Sequence, residues 1–157
     1  MANFLGYFIR ATRTNAAFPN NYIAYDTYTC TPNQREEIKA YRDENTRELY
    51  RITAAGMKTK ITFTTRGSLH KADKDAILNF FTSAESVDPD PATALKQRKI
   101  QLTFWDDEND TYRTSYFYRP NPTFKIKRID KTNRFDRNNN RIYDIVYNAV
   151  DFELIEY

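Results

Sequence analysis

The chain has little of what active sites are built from. Among its 157 residues there are one cysteine, Cys30, one histidine, His70, and only three glycines. A single cysteine excludes an intrachain disulfide. A Cys–His nucleophile pair needs an orienting group and an oxyanion hole as well, and neither sequence neighbourhood supplies them. A zinc site on the same two residues would have to recruit two carboxylates, which nothing signals. So few glycines leave no Gly-rich phosphate loop, no nucleophile elbow and no dinucleotide fingerprint. No run approaches the ~18 apolar residues of a membrane span. The opening Met1–Gly6 lacks a basic region followed by an apolar core, so no secretory signal is expected and a reducing cytoplasm is the expected home. Charge of one sign is also missing: 24 Lys and Arg face 21 Asp and Glu, a net +3 with a pI near 8.9. Net charge alone therefore gives no case for nucleic-acid binding.

What is present is aromatic. The chain carries 12 Tyr, 11 Phe and 1 Trp. Tyr and Phe favour sheets, and Tyr suits interfaces where one end stays wet. The composition indicates a soluble, β-rich protein that assembles, and the length predicts one domain over 1–157.

The central stretch is Met57 to Trp105. In 58–65, Ile61 and Phe63 alternate with Lys60, Thr62 and Thr64, the period of a half-buried strand. Leu69, Ala72, Ala76, Ile77, Phe80, Phe81 and Ala84 then fall on one helical face, predicting a helix over about 70–84. Asp73 and Asp75 suit its first turns, and Asp88-Pro-Asp-Pro91 stops it. Ile100, Leu102 and Phe104 alternate again.

Around this core, 4–9 predicts a short strand weakened by Gly6, and Tyr22–Cys30 a strand of mixed faces. Gln34 to Asn45 is the most polar part of the chain, and either a short helix or a solvent-exposed hairpin arm fits it, before strand character resumes at 46–53 and Ala54-Ala55-Gly56 turns the chain. Thr111–Tyr118 forms a hairpin with the preceding strand across an acidic turn, placing Tyr112, Tyr116 and Tyr118 on one face; Arg119-Pro-Asn-Pro122 ends it. A strand over 123–129 puts Phe124 and Ile126 in and Lys125 and Lys127 out, 130–141 is a polar loop, and one long strand runs from Ile142 to Ile155. The sum is a mainly β (α+β) fold: an antiparallel β-sandwich or open barrel of about seven or eight strands, one flanking helix, and an extended polar arm at about 33–46.

Candidate chemistry is sparse. His70, where the helix begins, fits a capping or surface role, and Cys30 a small buried hydrophobe. Asp106, Glu108 and Asp110, and Asp136, Asn138 and Asn140, imitate calcium-ligand spacing, but both runs lack the glycine and the distal glutamate that an EF-hand loop needs. No catalytic residue, cofactor or metal site is expected. Two surfaces remain. The polar arm offers Gln34, Arg35, Glu36, Glu37, Ile38, Lys39, Tyr41 and Arg42 as subunit contacts. Tyr112, Tyr116 and Tyr118 with Lys125 and Lys127 form an aromatic and basic face, suited to single-stranded nucleic acid or carbohydrate. For the lysines, the plainer role is the solvated side of an edge strand.

The order of these pieces resembles small tail proteins of bacteriophages and prophages. A Tyr-rich strand, a polar arm, Thr-Lys-Ile-Thr-Phe-Thr-Thr, a helix with an acidic start ending in Phe-Phe, then Gln-Leu-Thr-Phe-Trp-Asp-Asp and Thr-Tyr-Arg-Thr-Ser-Tyr-Phe-Tyr carry the likeness, over roughly Tyr22 to Arg128. The resemblance is to the tail-tube, distal-tail and baseplate-hub family. It implies a non-enzymatic subunit that forms or joins a ring, commonly six-fold, around a channel that passes DNA. The implied partners are further copies of the chain and neighbouring tail proteins, with transient non-specific DNA passage and no membrane. The implied location is the virion tail, after the host cytoplasm. The arm would reach a neighbouring subunit, and the long last strand would supply an inter-subunit edge. Tube lumens in that family tend to be acidic, whereas this chain is net basic. Either its acidic residues gather on one face, or it is a collar or baseplate adaptor.

Overall fold

The computed structural model describes residues 2–34, 37–53, 58–85, 99–118 and 120–156. Its centre is β6 (Lys58–Thr64), whose Ile61 and Phe63 turn inward while Lys60 and Thr62 face out. Two antiparallel neighbours flank it, β3 (Thr29–Gln34) and β12 (Asp151–Ile155). Register decides what meets across them: Phe63 lies opposite Phe152 and Ile61 opposite Leu154, so one face becomes a continuous apolar surface.

A second sheet closes over that surface. Its order is β2 (Ala16–Ala17), β1 (Ile9–Ala11), β8 (Lys99–Asp106) and β9 (Thr111–Tyr118). Ile9 sits opposite Phe104, Ala11 opposite Leu102 and Ile100 opposite Phe117; all six are buried. The sheets join at one corner, where Phe117 bridges Glu156 just past β12. Glu156 fastens that corner: its carboxylate accepts from the Thr59 N–H at 2.6 Å and the Ser115 hydroxyl at 2.5 Å.

The helix α1 (Lys71–Ala84) covers the open end of the core with Ile77, Phe81 and Ala84. Phe81 packs on Phe152 and on Phe18, with ring centroids 5.5 and 5.9 Å apart. Full burial of each such ring is worth about 1.5–3 kcal/mol. Asp73 at the third helical position accepts the His70 N–H at 3.0 Å and pairs with Arg66 at 3.1 Å, which fixes the helix start. The expected face is right at Ile77, Phe80, Phe81 and Ala84, but Ala72 and Ala76 are exposed. Leu69 is buried just before the helix, in the short β7 (Leu69–His70). The helix stop expected at 88–91 and the turn at 54–56 lie outside the described residues.

Several expectations need correction. Tyr22–Cys30 is not one strand. Two 3-10 turns, Asn20–Tyr22 and Tyr25–Thr27, interrupt it, and apart from a bridge between Ile23 and Thr65 continuous pairing begins only at Thr29. The Thr27 hydroxyl donates to the Ala24 carbonyl and accepts the Thr64 N–H, so a side chain replaces ladder bonds there. The loop expected at 130–141 is mostly strand: β10 (Ile126–Phe135) runs through it and turns at 136–140 into β11 (Arg141–Tyr147). Ile126, expected inward, is 57% exposed. The single last strand is two. Thr65 and Val150 exchange bonds at the break, and the chain changes sheets there, from β10-β11-β7 to β12-β6-β3. Together with the hairpin β4 (Glu37–Arg42) and β5 (Leu49–Thr53), the described residues hold twelve strands rather than seven or eight.

Candidate functional site

The polar arm is a β-hairpin, not a helix. β4 and β5 pair with each other in a two-stranded sheet, and among the described residues they join no other sheet. Tyr41 sits opposite Tyr50 with rings stacked at 5.4 Å. Asp43 closes the tip by accepting the N–H groups of Asn45 and Thr46 at 2.9 and 2.8 Å. Those bonds favour its charged form and hold its carboxyl below the ordinary range. Tyr41, Leu49 and Tyr50 are 48%, 53% and 44% exposed, three large apolar side chains half open to solvent on one hairpin. Of the candidate contact residues, Gln34 ends β3, while Glu37, Ile38, Lys39, Tyr41 and Arg42 form β4. Arg35 and Glu36 lie outside the described residues. Sequence reading missed Leu49 and Tyr50, which pairing across the hairpin brings beside Arg42 and Tyr41. The signal was the resumed strand at 46–53, which is the second arm strand and extends the arm to Thr53.

The expected aromatic and basic face is divided. Tyr116 and Tyr118 are exposed on the outer side of β9, and the Lys99 ammonium lies 4.5 Å from the Tyr116 ring centroid. Tyr112 shares their side but is covered by the N-terminal segment. Its ring stacks on Tyr7 at 4.7 Å, and its hydroxyl donates to the Tyr7 carbonyl and accepts the Leu5 N–H. Phe4 meets Trp105 at 5.4 Å in the same cover, which is why β8 is buried on both faces at its end. Lys127 belongs to the β10-β11-β7 sheet, where it donates to the Ser68 hydroxyl at 3.0 Å, and Lys125 precedes that strand.

A second exposed hairpin emerges instead. β10 and the first part of β11 stand clear of the core, with Ile129, Phe135 and Tyr143 at 63%, 51% and 49% exposure. Arg141 packs 5.1 Å from the Phe135 ring centroid.

The family model that matches residues 1–157 describes DUF6711, a family of unknown function. The chain belongs to the DUF6711 family. No curated protein and no solved structure matches it. Membership brings no activity or partner with it, so the residues carry the argument.

The groups that imitate reactive sites are occupied structurally. Burial pushes the Cys30 thiol up to about 12, with Asp106 and Asp107 adding to the shift, so it is a poor nucleophile at neutral pH. His70 is exposed at the helix start with Nδ1 2.7 Å from Asp144, whose carboxyl is held low mainly by that bond. The calcium-like loops turn their oxygens onto their own backbones. Asp106 accepts from the N–H groups of Glu108 and Asn109, and Asp136 from those of Asn138 and Asn140. Among the described residues no cluster of three or more metal-ligating side chains forms. An open depression of about 380 Å³ on the outer face of β6 and β12 includes Asp151 and Glu153. Asp151 accepts from the Thr64 hydroxyl at 2.6 Å, and Glu153 pairs with Lys60 at 3.3 Å.

Proposed function

We propose that this chain is a non-enzymatic structural subunit of a bacteriophage tail, one that forms or joins a ring around a DNA-passing channel. The observation that carries this reading is the β4–β5 hairpin. A two-stranded sheet with three exposed apolar side chains, joined to no third strand among the described residues, is a poor free-standing unit in water. It becomes a good one when a neighbouring subunit covers Tyr41, Leu49 and Tyr50. Exposed apolar groups of this kind, rimmed by charge, mark contact surfaces. A heterologous contact repeated around an axis closes into a ring when the rotation divides a circle. Partners on this reading are further copies in a six-fold ring and adjacent tail proteins. The stretch expected as the last strand ends in β12, a sheet-edge strand that pairs with β6 and meets β9 through the single Glu156 bridge.

The test is sedimentation velocity of the full chain and of a Tyr41→Ser, Leu49→Ser, Tyr50→Ser variant. All three side chains are exposed, so the fold should survive, with the melting temperature close to the parent's. The reading expects an oligomer in the parent and loss of it in the variant. An oligomer that persists unchanged, or a variant that unfolds, would remove the arm from the contact.

A further inference from the structure

The whole chain carries a net +3, yet 125–147 alone holds seven Lys and Arg against three Asp, a net +4. The excess positive charge is therefore gathered on the β10–β11 hairpin. Its acidic residues are already engaged. Asp130 takes the Arg128 guanidinium at 3.1 Å, Asp136 caps the turn, and Asp144 meets His70. Lys125, Lys131, Arg134 and Arg137 are exposed and make no ion pair among the described residues.

Register places one cation between rings. Lys131 lies opposite Tyr143, Phe135 opposite Arg141, and Ile129 opposite Ile145, so these side chains share one face of the hairpin. Lysines that merely guard a sheet edge need no rings beside them. Here two half-exposed rings alternate with cations on one face, and unpaired cations follow along the same strand and turn. Bases stack on rings and phosphates sit on cations, which is how sheets hold unpaired strands.

We infer that the exposed distal end of the β10–β11 hairpin binds single-stranded nucleic acid, with Phe135 and Tyr143 as stacking platforms and Lys131, Arg134 and Arg137 on the phosphates. This is a different surface from the β4–β5 arm, and the inference stands whether or not the chain forms a ring.

The experiment is fluorescence anisotropy of the full chain with a labelled oligothymidylate of about 20 nucleotides, and with a duplex of equal length, across about 50–200 mM salt. Three phosphate contacts expect a log–log salt slope near −0.7 × 3, so affinity should fall roughly 20-fold over that range. Lys131→Ser with Arg134→Ser should flatten the slope by about 1.4. Tyr143→Ser should raise Kd by about tenfold and leave the slope alone. Lys60→Gln, on another sheet, is the control and should change neither. Thermal melts confirm that each variant is folded, and the two lysine and arginine changes keep the test open should Tyr143→Ser lose the fold. No oligothymidylate binding at the lowest salt, tighter binding to the duplex, or binding indifferent to the hairpin variants would each overturn the inference. So would a hairpin variant that dissociates copies of the chain from one another while oligothymidylate binding stays unchanged, since the face would then be a protein contact.

Discussion

At the scale of single residues, the side chains that matter most hold corners rather than perform reactions. Glu156 is the clearest. Burial works to raise its carboxyl pKa, but the bonds from Ser115 and Thr59 outweigh burial and leave it below its ordinary 4.5. A depressed carboxyl stabilises the fold above the unfolded value and loses that contribution as pH falls through the folded one. The Glu156 share of stability should therefore be complete above about pH 4.5 and fade below it. Glu156→Gln should remove most of that acid dependence and cost about 1–2 kcal/mol, read from urea melts at pH 7 and pH 4. Equal stability loss at both pH values would show that the charge is not what fastens the corner. Cys30 gives a second expectation at this scale. With its thiol near 12, the folded chain should react with a thiol reagent at pH 7.5 orders of magnitude more slowly than the chain in denaturant. Prompt native labelling would contradict its place against the core.

At the scale of elements, what the sequence revealed followed from whether a strand has one wet face and one dry one. β6, α1, β9 and the first half of β8 each have such faces, and their alternation marks them clearly. β10 does not: it is wet on both sides, so from Asp130 on its residues carry no apolar period and resemble a loop. The 3-10 turns at 20–27 were hidden for another reason. Their Tyr and Thr residues suit strands, and only the Thr27 hydroxyl, bonded across to Thr64, shows why the ladder starts late. The break between β11 and β12 likewise rests on Thr65, whose hydroxyl accepts the buried Val150 N–H at 2.8 Å. Thr65→Val keeps the shape and strands that N–H, so it should cost about 1–3 kcal/mol in denaturant melts. A loss of only a few tenths would mean that the corner is held by packing alone. The candidate contact residues were half legible: polarity marked the arm, but only the hairpin pairing adds Leu49 and Tyr50 to it.

At the scale of the molecule, the chain divides its labour. The aromatic core of Phe18, Phe63, Phe81 and Phe152 stabilises two sheets and a helix, while the β4–β5 and β10–β11 hairpins carry the exposed apolar and cationic groups. The near balance of total charge hides this division, because the positive hairpin is offset by acidic residues elsewhere, among them Asp107, Glu108 and Asp110 in the turn between β8 and β9. Net charge therefore understated what one surface can do. The proposed ring uses one hairpin for contact between copies, and the proposed nucleic-acid face uses the other. The measurement that tests the assembly claim most directly is the native mass of the full chain. It is read by light scattering after size exclusion across protein concentration and salt, with negative-stain images of the largest species. The account expects a discrete closed ring, six-fold by resemblance, whose mass does not drift once it has formed. A strict monomer at every concentration and salt would contradict it.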